Sequence, residues 1–207
     1  MYREPLFAKE AALVANAGAK RREEFTAGRN AARAALAMMG LAPCPILRTP
    51  QRGPLWPRGF IGSITHCNGF CCAVVARSSD ICSLGIDVEE NDPLEKSLAE
   101  IVCTRSELIS FTTLPELPST NWEKIAFCAK ESFYKYFNPL TNSFLDFRDV
   151  SVQFSLEPAG NAGAFGITIA KSGEPLHEAS ISGAWRLDAH RVYAGVSPPA
   201  GRLNEIS

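Results

Sequence analysis

Two carboxylates one residue apart, Asp87 and Glu89 in "GIDVEE", have types and spacing that could do chemistry. Alternate side chains on a strand share a face, so both acids point one way and Val88 the other. Two carboxylates on one face repel unless a cation sits between them. An oxygen-only pair of this kind suits Mg²⁺, which keeps several waters and is completed by substrate phosphates. Taken alone, the pattern equally describes the solvent-facing end of a strand. A second constellation lies in "FCAKESFYKYF", residues 127–137. Glu131 and Lys135 are four apart and share a helix face. That face lies opposite the apolar stripe of Trp122, Ile125, Ala126, Ala129, Phe133 and Tyr136. The pair therefore meets either water, as an ion pair worth about 0.3–0.5 kcal/mol, or a partner surface. In the second case it brings a carboxylate to a metal and an ammonium to a phosphate.

A third element is "GSITH", in which His66 ends an apolar strand beside the Asn68-Gly69 turn. A lone histidine is more often structural than catalytic. Cys67, Cys71 and Cys72 lie close by, but their spacing does not match the common structural zinc patterns and no second ligand pair follows. Cys71 and Cys72 on one strand face opposite sides, which further disfavours a shared metal.

These residues need elements to position them. "KRREEFTAGRNAARAALAMMG" is rich in helix formers and ends at Gly40 and Pro43, with Arg22, Arg29 and Arg33 on one face. "APCPILRTPQRGPLWPRG" reads as a proline-rich loop and not a central strand. Strands are expected at "FIGSITH", "FCCAVVAR" and "SLGIDVEE", the first two joined by a tight Asn-Gly hairpin. Thr120 and Glu123 form a candidate capping box ahead of a second helix, "WEKIAFCAKESFYKYF". Strands are again expected at "VSVQFSL", "AFGITIA", "ASISGAWRL" and "RVYAGVS". Helix then strands, twice, predicts an α+β fold of two similar halves, residues 1–104 and 105–207. Each half is a helix on a small, mostly antiparallel sheet. The halves are expected to be related by a pseudo-twofold, with the seam around residues 95–120 and the active site in it.

The chain's 207 residues suffice for one large domain or two small halves. A net charge of −1 argues against a general nucleic-acid binder, so any anion site must come from local basic clustering. No apolar run is long enough to span a bilayer, and the N-terminal stretch is too charged for a secretory signal. Seven scattered cysteines, an odd number, favour reduced thiols and a cytoplasmic protein.

Together, "GSITH", "GIDVEE" and "FCAKESFYKYF" resemble the motifs of the phosphopantetheinyl transferases of the larger, monomeric, two-half class. "GPLWPRGFIGSITHC" and "EFTAGRNAARAAL" resemble the siderophore-synthesis, enterobactin-type branch. The likeness spans roughly residues 20–137, and the carboxyl-terminal strands carry no diagnostic motif. It implies a Mg²⁺-dependent transfer of the 4'-phosphopantetheine arm of coenzyme A to a serine of an apo acyl, peptidyl or aryl carrier protein, with release of adenosine 3',5'-bisphosphate. By the same resemblance Asp87, Glu89 and Glu131 bind Mg²⁺, Lys130 and Lys135 hold the pyrophosphate, and His66 contacts the 3'-phosphate or a nearby phosphate oxygen. Thr65 stands where the family often has serine. Many relatives have Gly-Lys-Pro beside the adenine; here it is "RGP", with Arg52 as the substitute charge. Arg29 and Arg33 form a candidate phosphate-facing stripe. The serine's proton goes to Glu131 or to a metal-bound water, and both alternatives stay open. The rival readings are a Mg²⁺-dependent nuclease or phosphohydrolase and a carrier-binding module without catalysis.

Overall fold

The computed structural model describes residues 4–115, 120–171, 174–175 and 181–197. The chain divides into two compact units, Met1–Cys82 and Ser83–Ser207.

The first unit begins with α1 (Ala8–Ala12) and the 20-residue α2 (Ala19–Met38). A minimal ladder follows, β1 (Leu47–Arg48) with β2 (Pro54–Leu55), inside the segment expected to be loop. The hairpin of β3 (Phe60–Cys67) and β4 (Phe70–Arg77) closes through Asn68-Gly69, as its sequence requires. Gly69 has φ +68°, a conformation open to glycine without strain. α2 lies close against this hairpin. A Cβ on Gly28 would sit 3.1 Å from Ile64 Cγ2, so only glycine fits without a shift. Ala32, Leu36 and Ile46 form a small core beneath it, ringed by Trp56, Phe60, Ile64 and Val75.

The second unit opens with β5 (Gly85–Glu90), then α3 (Lys96–Val102), α4 (Arg105–Phe111) and α5 (Trp122–Thr141). A 3₁₀ turn at Phe147–Asp149 leads into β6 (Val150–Leu156), β7 (Ala162–Lys171), β8 (Glu174–Pro175), β9 (Ile181–Leu187) and β10 (Arg191–Val196). The sheet order is β5-β10-β9-β7-β6, with β8 beside β7. Every described ladder is antiparallel. Period-two burial explains the strands: Val150 and Val152 on β6 and Val192 and Val196 on β10 are buried. α5 packs Ile125, Ala126, Ala129, Phe133 and Tyr136 into this core, with Trp185, Phe165 and Ile167.

The α+β class is the expected one, with a long helix on an antiparallel sheet in each unit. Three details differ. The units divide at Cys82/Ser83 and not at 104/105, because β5 pairs with β10, Asp87 opposite Ala194, and so belongs to the later sheet. Residues 95–111, assigned to a seam, fold into α3 and α4 of the second unit. The α5 N-cap is Asn121, whose Oδ1 accepts from the Lys124 amide at 2.8 Å, and not Thr120. Residues 179–180 of the expected strand "ASISGAWRL" lie outside the described residues. No helix among the described residues is long and apolar enough to cross a membrane.

Candidate active site

β5 and α5 are pressed together by a glycine. A Cβ on Gly85 would collide with the Ser132 carbonyl oxygen and lie 2.6 Å from the Tyr136 amide nitrogen, so the strand rests on the helix backbone. Ser83 Oγ reinforces the contact by donating to the Tyr136 carbonyl at 2.7 Å. Gly85, Asp87 and Glu89 alternate onto one face, and that face meets α5. Lys135 Nζ lies 2.6 Å from Asp87 Oδ1, and the Asp87 side chain is only 5% exposed. The expected same-face acidic pair and the Glu131–Lys135 helix face thus come together, all within the second unit. They do not look across a boundary between halves.

The electrostatics record how close the acids are. Burial and then the neighbouring Asp87 push Glu89 up to about 7, against the pull of Lys124 and Lys135. Burial, followed by Asp87, also raises Glu131, and Lys135 opposes it. Cys128 lies beneath the same acids; burial raises its thiol first, with Asp87 and Glu89 adding to the shift. Lys124 is a member of this neighbourhood that the sequence reading missed. It is nearly buried, pairs with Asp92 Oδ1 at 2.9 Å and lowers Glu89. Its spacing of seven from Glu131 places it on the same helix face, a signal the sequence did carry.

Two carboxylates whose proton affinity is raised beside a third, Asp87, with oxygen donors only, have the chemistry of a hard divalent cation site. Among the described residues, no three His, Cys, Asp or Glu side chains close into a set able to hold a metal ion. Asp87 instead meets the Lys135 ammonium. The donor types and charge fit Mg²⁺.

Lys130 is corrected. It is fully buried, and its Nζ donates to Val102 O at 2.8 Å, Glu107 Oε2 at 2.9 Å and Phe147 O at 3.0 Å. An ammonium has three donors, and here all three are taken. Lys130 cannot hold a pyrophosphate.

In the first unit, His66 lies across from Cys71 on the face of β3 that also carries Ile64 against α2. Its Nε2 is 3.4 Å from Arg21 Nη1. Thr65 is 2% exposed and, by strand alternation, points to the other face, so it does not join His66. Arg33 is also corrected. It is a buried structural cation, with Nη1 donating to Glu10 Oε2 at 2.7 Å and Nη2 to Asn30 Oδ1 at 2.5 Å. Arg29 is 6% exposed, donates to Leu47 O at 3.1 Å and stacks 4.3 Å from the Phe25 ring centroid. It does not form the expected phosphate-facing stripe with Arg33, which Glu10 and Asn30 enclose. Arg48 covers the same ring at 4.9 Å. Burial brings Arg29 down to about 10; Arg48, Arg33 and Arg21 add to the lowering, while Glu10 opposes it. Arg48 is lowered by burial, then by Arg21 and Arg52. Arg52 is exposed and left-handed, with φ +69°. Arg29 and Arg48 thus sit among like charges, with Arg21 close to both and to His66 and Arg52 close to Arg48, which is the local basic clustering an anion site needs. Arg21 and Arg48 were missed by the sequence reading. The steps of four through Arg21, Phe25 and Arg29 were the available signal.

Comparison with known proteins agrees with this geometry. Residues 9–76 match the family described as 4'-phosphopantetheinyl transferase N-terminal domain. Residues 83–191 match the 4'-phosphopantetheinyl transferase superfamily. The chain is 37% identical over 196 residues to 4'-phosphopantetheinyl transferase PptT of Mycobacterium tuberculosis, covering 91% of this chain and 84% of that one. It is 38% identical over 206 residues to 4'-phosphopantetheinyl transferase Svp of Streptomyces mobaraensis, covering 97% and 82%. Enterobactin synthase component D of Escherichia coli is 35% identical over 146 residues, covering 68% of this chain and 66% of that one. With the acid–lysine cluster on β5 and α5 and two family matches spanning most of its length, the chain belongs to the 4'-phosphopantetheinyl transferase superfamily.

Proposed function

We propose that the chain transfers the 4'-phosphopantetheine group of coenzyme A to the serine of an apo carrier protein. The observation that carries this reading is the meeting of Asp87, Glu89, Glu131 and Lys135 at the Gly85 contact between β5 and α5. Asp87, Glu89 and Glu131 would hold Mg²⁺, which when bound offsets the charge of the pyrophosphate. Lys135 is part-exposed and directed at this cluster, and it holds the pyrophosphate as a point charge. Glu131 lies one helical turn from Lys135 on the same face, which puts a proton acceptor beside the phosphate under attack. The serine oxygen forms the new bond to the β-phosphorus, and the bond to the bridging oxygen breaks. Adenosine 3',5'-bisphosphate leaves, and Glu131 receives the serine proton. In the first unit, His66 with Arg21, Arg29 and Arg48 forms a cationic cluster of the kind that suits a phosphate.

Both family regions lie in one chain, which supports a monomeric enzyme. All seven cysteines are free thiols, which supports a reducing, cytoplasmic setting. The carrier is acyl, peptidyl or aryl. The siderophore branch rests on the Trp56-Pro57 pair before the histidine motif and on the shorter alignment to enterobactin synthase component D. The alignments to PptT and Svp cover more of the chain, so the broad carrier class is the better supported part of the reading. Incubating the protein with coenzyme A, Mg²⁺ and a panel of apo acyl, peptidyl and aryl carriers tests all of this. The carriers should gain the mass of the arm with stoichiometric adenosine 3',5'-bisphosphate. Hydrolysis of coenzyme A without a mass gain on any carrier would instead make the protein a phosphohydrolase.

A further inference from the structure

The role left for Lys130 follows from what grips α5. On one side the helix is held by Gly85 and Ser83 of the β5 segment. On the sheet side it presents apolar groups, with Ala126, Ala129 and Ile125 fully buried. Apolar contact is non-directional and tolerates repacking, so it does not fix how far the helix is turned about its axis. A slip of one residue moves a helix by about 1.5 Å and turns its side chains by roughly 100°. Such a slip would carry Glu131 away from Asp87.

Beyond the Ser83–Tyr136 bond and the Lys135–Asp87 pair, the most extensive directional grip lies on the remaining side. Lys130 Nζ reaches the last turn of α3 at Val102 O, α4 at Glu107 Oε2 and the 3₁₀ turn at Phe147 O. Glu107 is 2% exposed and does more than balance this charge. Its Oε2 accepts from the Thr104 amide at 2.6 Å, and its Oε1 accepts from the Val152 amide on β6 at 2.7 Å. One buried ion pair therefore ties α3, α4, α5, the 3₁₀ turn and β6 to a single point. That point is the residue next to Glu131. Burying an ion pair costs desolvation that an apolar pair of similar volume would not, so its use here is geometric specificity rather than stability.

We infer that Lys130 and Glu107 form a positioning pair that sets the rotation of α5 and thereby the place of Glu131 beside Asp87. The inference rests on the reading of Glu131 as the group that works at the transfer site. Lys130 touches no substrate. Its loss should therefore act through Glu131 and Lys135, which ride on the same helix, and lower kcat.

The test is steady-state transfer to an apo peptidyl carrier domain with coenzyme A, run well below each variant's unfolding midpoint. Lys130→Met should lower kcat about ten- to a hundred-fold. Ile167→Val, also in the buried core, serves as the control for lost packing and should leave kcat within about two-fold. The pair can also be tested by length. Glu107→Asp shortens it and should lower kcat, and Lys130→Arg with Glu107→Asp should recover at least half of that loss on a logarithmic scale. This second arm decides if Lys130→Met does not fold. Wild-type kcat in folded Lys130→Met, or a double variant no better than Glu107→Asp, would overturn the inference. Full activity in Glu131→Gln would instead remove the reading beneath it, which keeps the two failures apart.

Discussion

Lys135 Nζ on α5 and Asp87 Oδ1 on β5 are 2.6 Å apart although they are 48 residues apart in sequence. The contact exists because Gly85, two residues before Asp87, has no side chain to hold the strand off the helix. An ammonium beside a nearly buried carboxylate that raises two more acids nearby is an arrangement with little use as a surface ion pair and a direct use in binding a metal and a pyrophosphate.

Gly85→Ala should separate the two elements. The new methyl would meet backbone atoms of Ser132 and Tyr136, which cannot swing aside. Overpacking of this kind costs about 1–3 kcal/mol, and a backbone clash belongs at the upper end. Urea unfolding should report that loss, and transfer should fall further than the loss of folded protein explains. Unchanged stability would mean that β5 and α5 do not press together as described.

Glu89 gives the metal-free protein a pH dependence with a definite sign. Its folded pKa is raised from 4.5 to about 7, so the folded state holds a proton that the unfolded chain gives up. The stabilisation from this group is complete below about 4.5 and is lost as pH rises through about 7. Glu131 is shifted in the same direction. Denaturation midpoints without metal should therefore fall over this window, and Glu89→Gln should flatten the fall. Mg²⁺ requires the ionised acid, so its affinity should climb over the same window. A midpoint that rises between these pH values would contradict the burial of Glu89 beside Asp87.

His66→Ala should weaken coenzyme A more than 3'-dephospho-coenzyme A. His66 stands 3.4 Å from Arg21, at the edge of the arginine group. A hydrogen bond to a charged group is worth about 1.5–3 kcal/mol, or roughly ten- to a hundred-fold in affinity. Equal losses for the two ligands, measured by calorimetry, would place His66 away from the 3'-phosphate.

Much of this was legible in sequence because period-two and helical patterns are local. β4 and β6 coincide with their quoted segments, and Asp87 and Glu89 share a face by alternation alone. What was not legible depends on contacts distant in sequence. Lys130 was assigned to the pyrophosphate by the motif resemblance; its partner Glu107 is 23 residues away and lies outside that motif. Arg33 was read as part of a phosphate-facing stripe because Glu10, also 23 residues away, could not be seen to enclose it. The unit boundary was misplaced because β5 follows β4 in sequence yet pairs with β10, Glu90 opposite Arg191. Two seven-residue helices are too short for a clear period, although the Thr104–Glu107 capping box at the start of α4 was there to be read.

The most direct measurement compares Glu131→Gln with Phe133→Ala in a single-turnover assay, weighing the apo carrier domain after incubation with coenzyme A and Mg²⁺. Phe133 is fully buried, so Phe133→Ala should cost about 3–5 kcal/mol of stability while its folded fraction still transfers the arm. Glu131→Gln removes only a charge that Asp87 repels, so it should leave stability near wild type and the carrier at its apo mass. A carrier that reaches its full holo mass with Glu131→Gln at the wild-type rate would contradict the account.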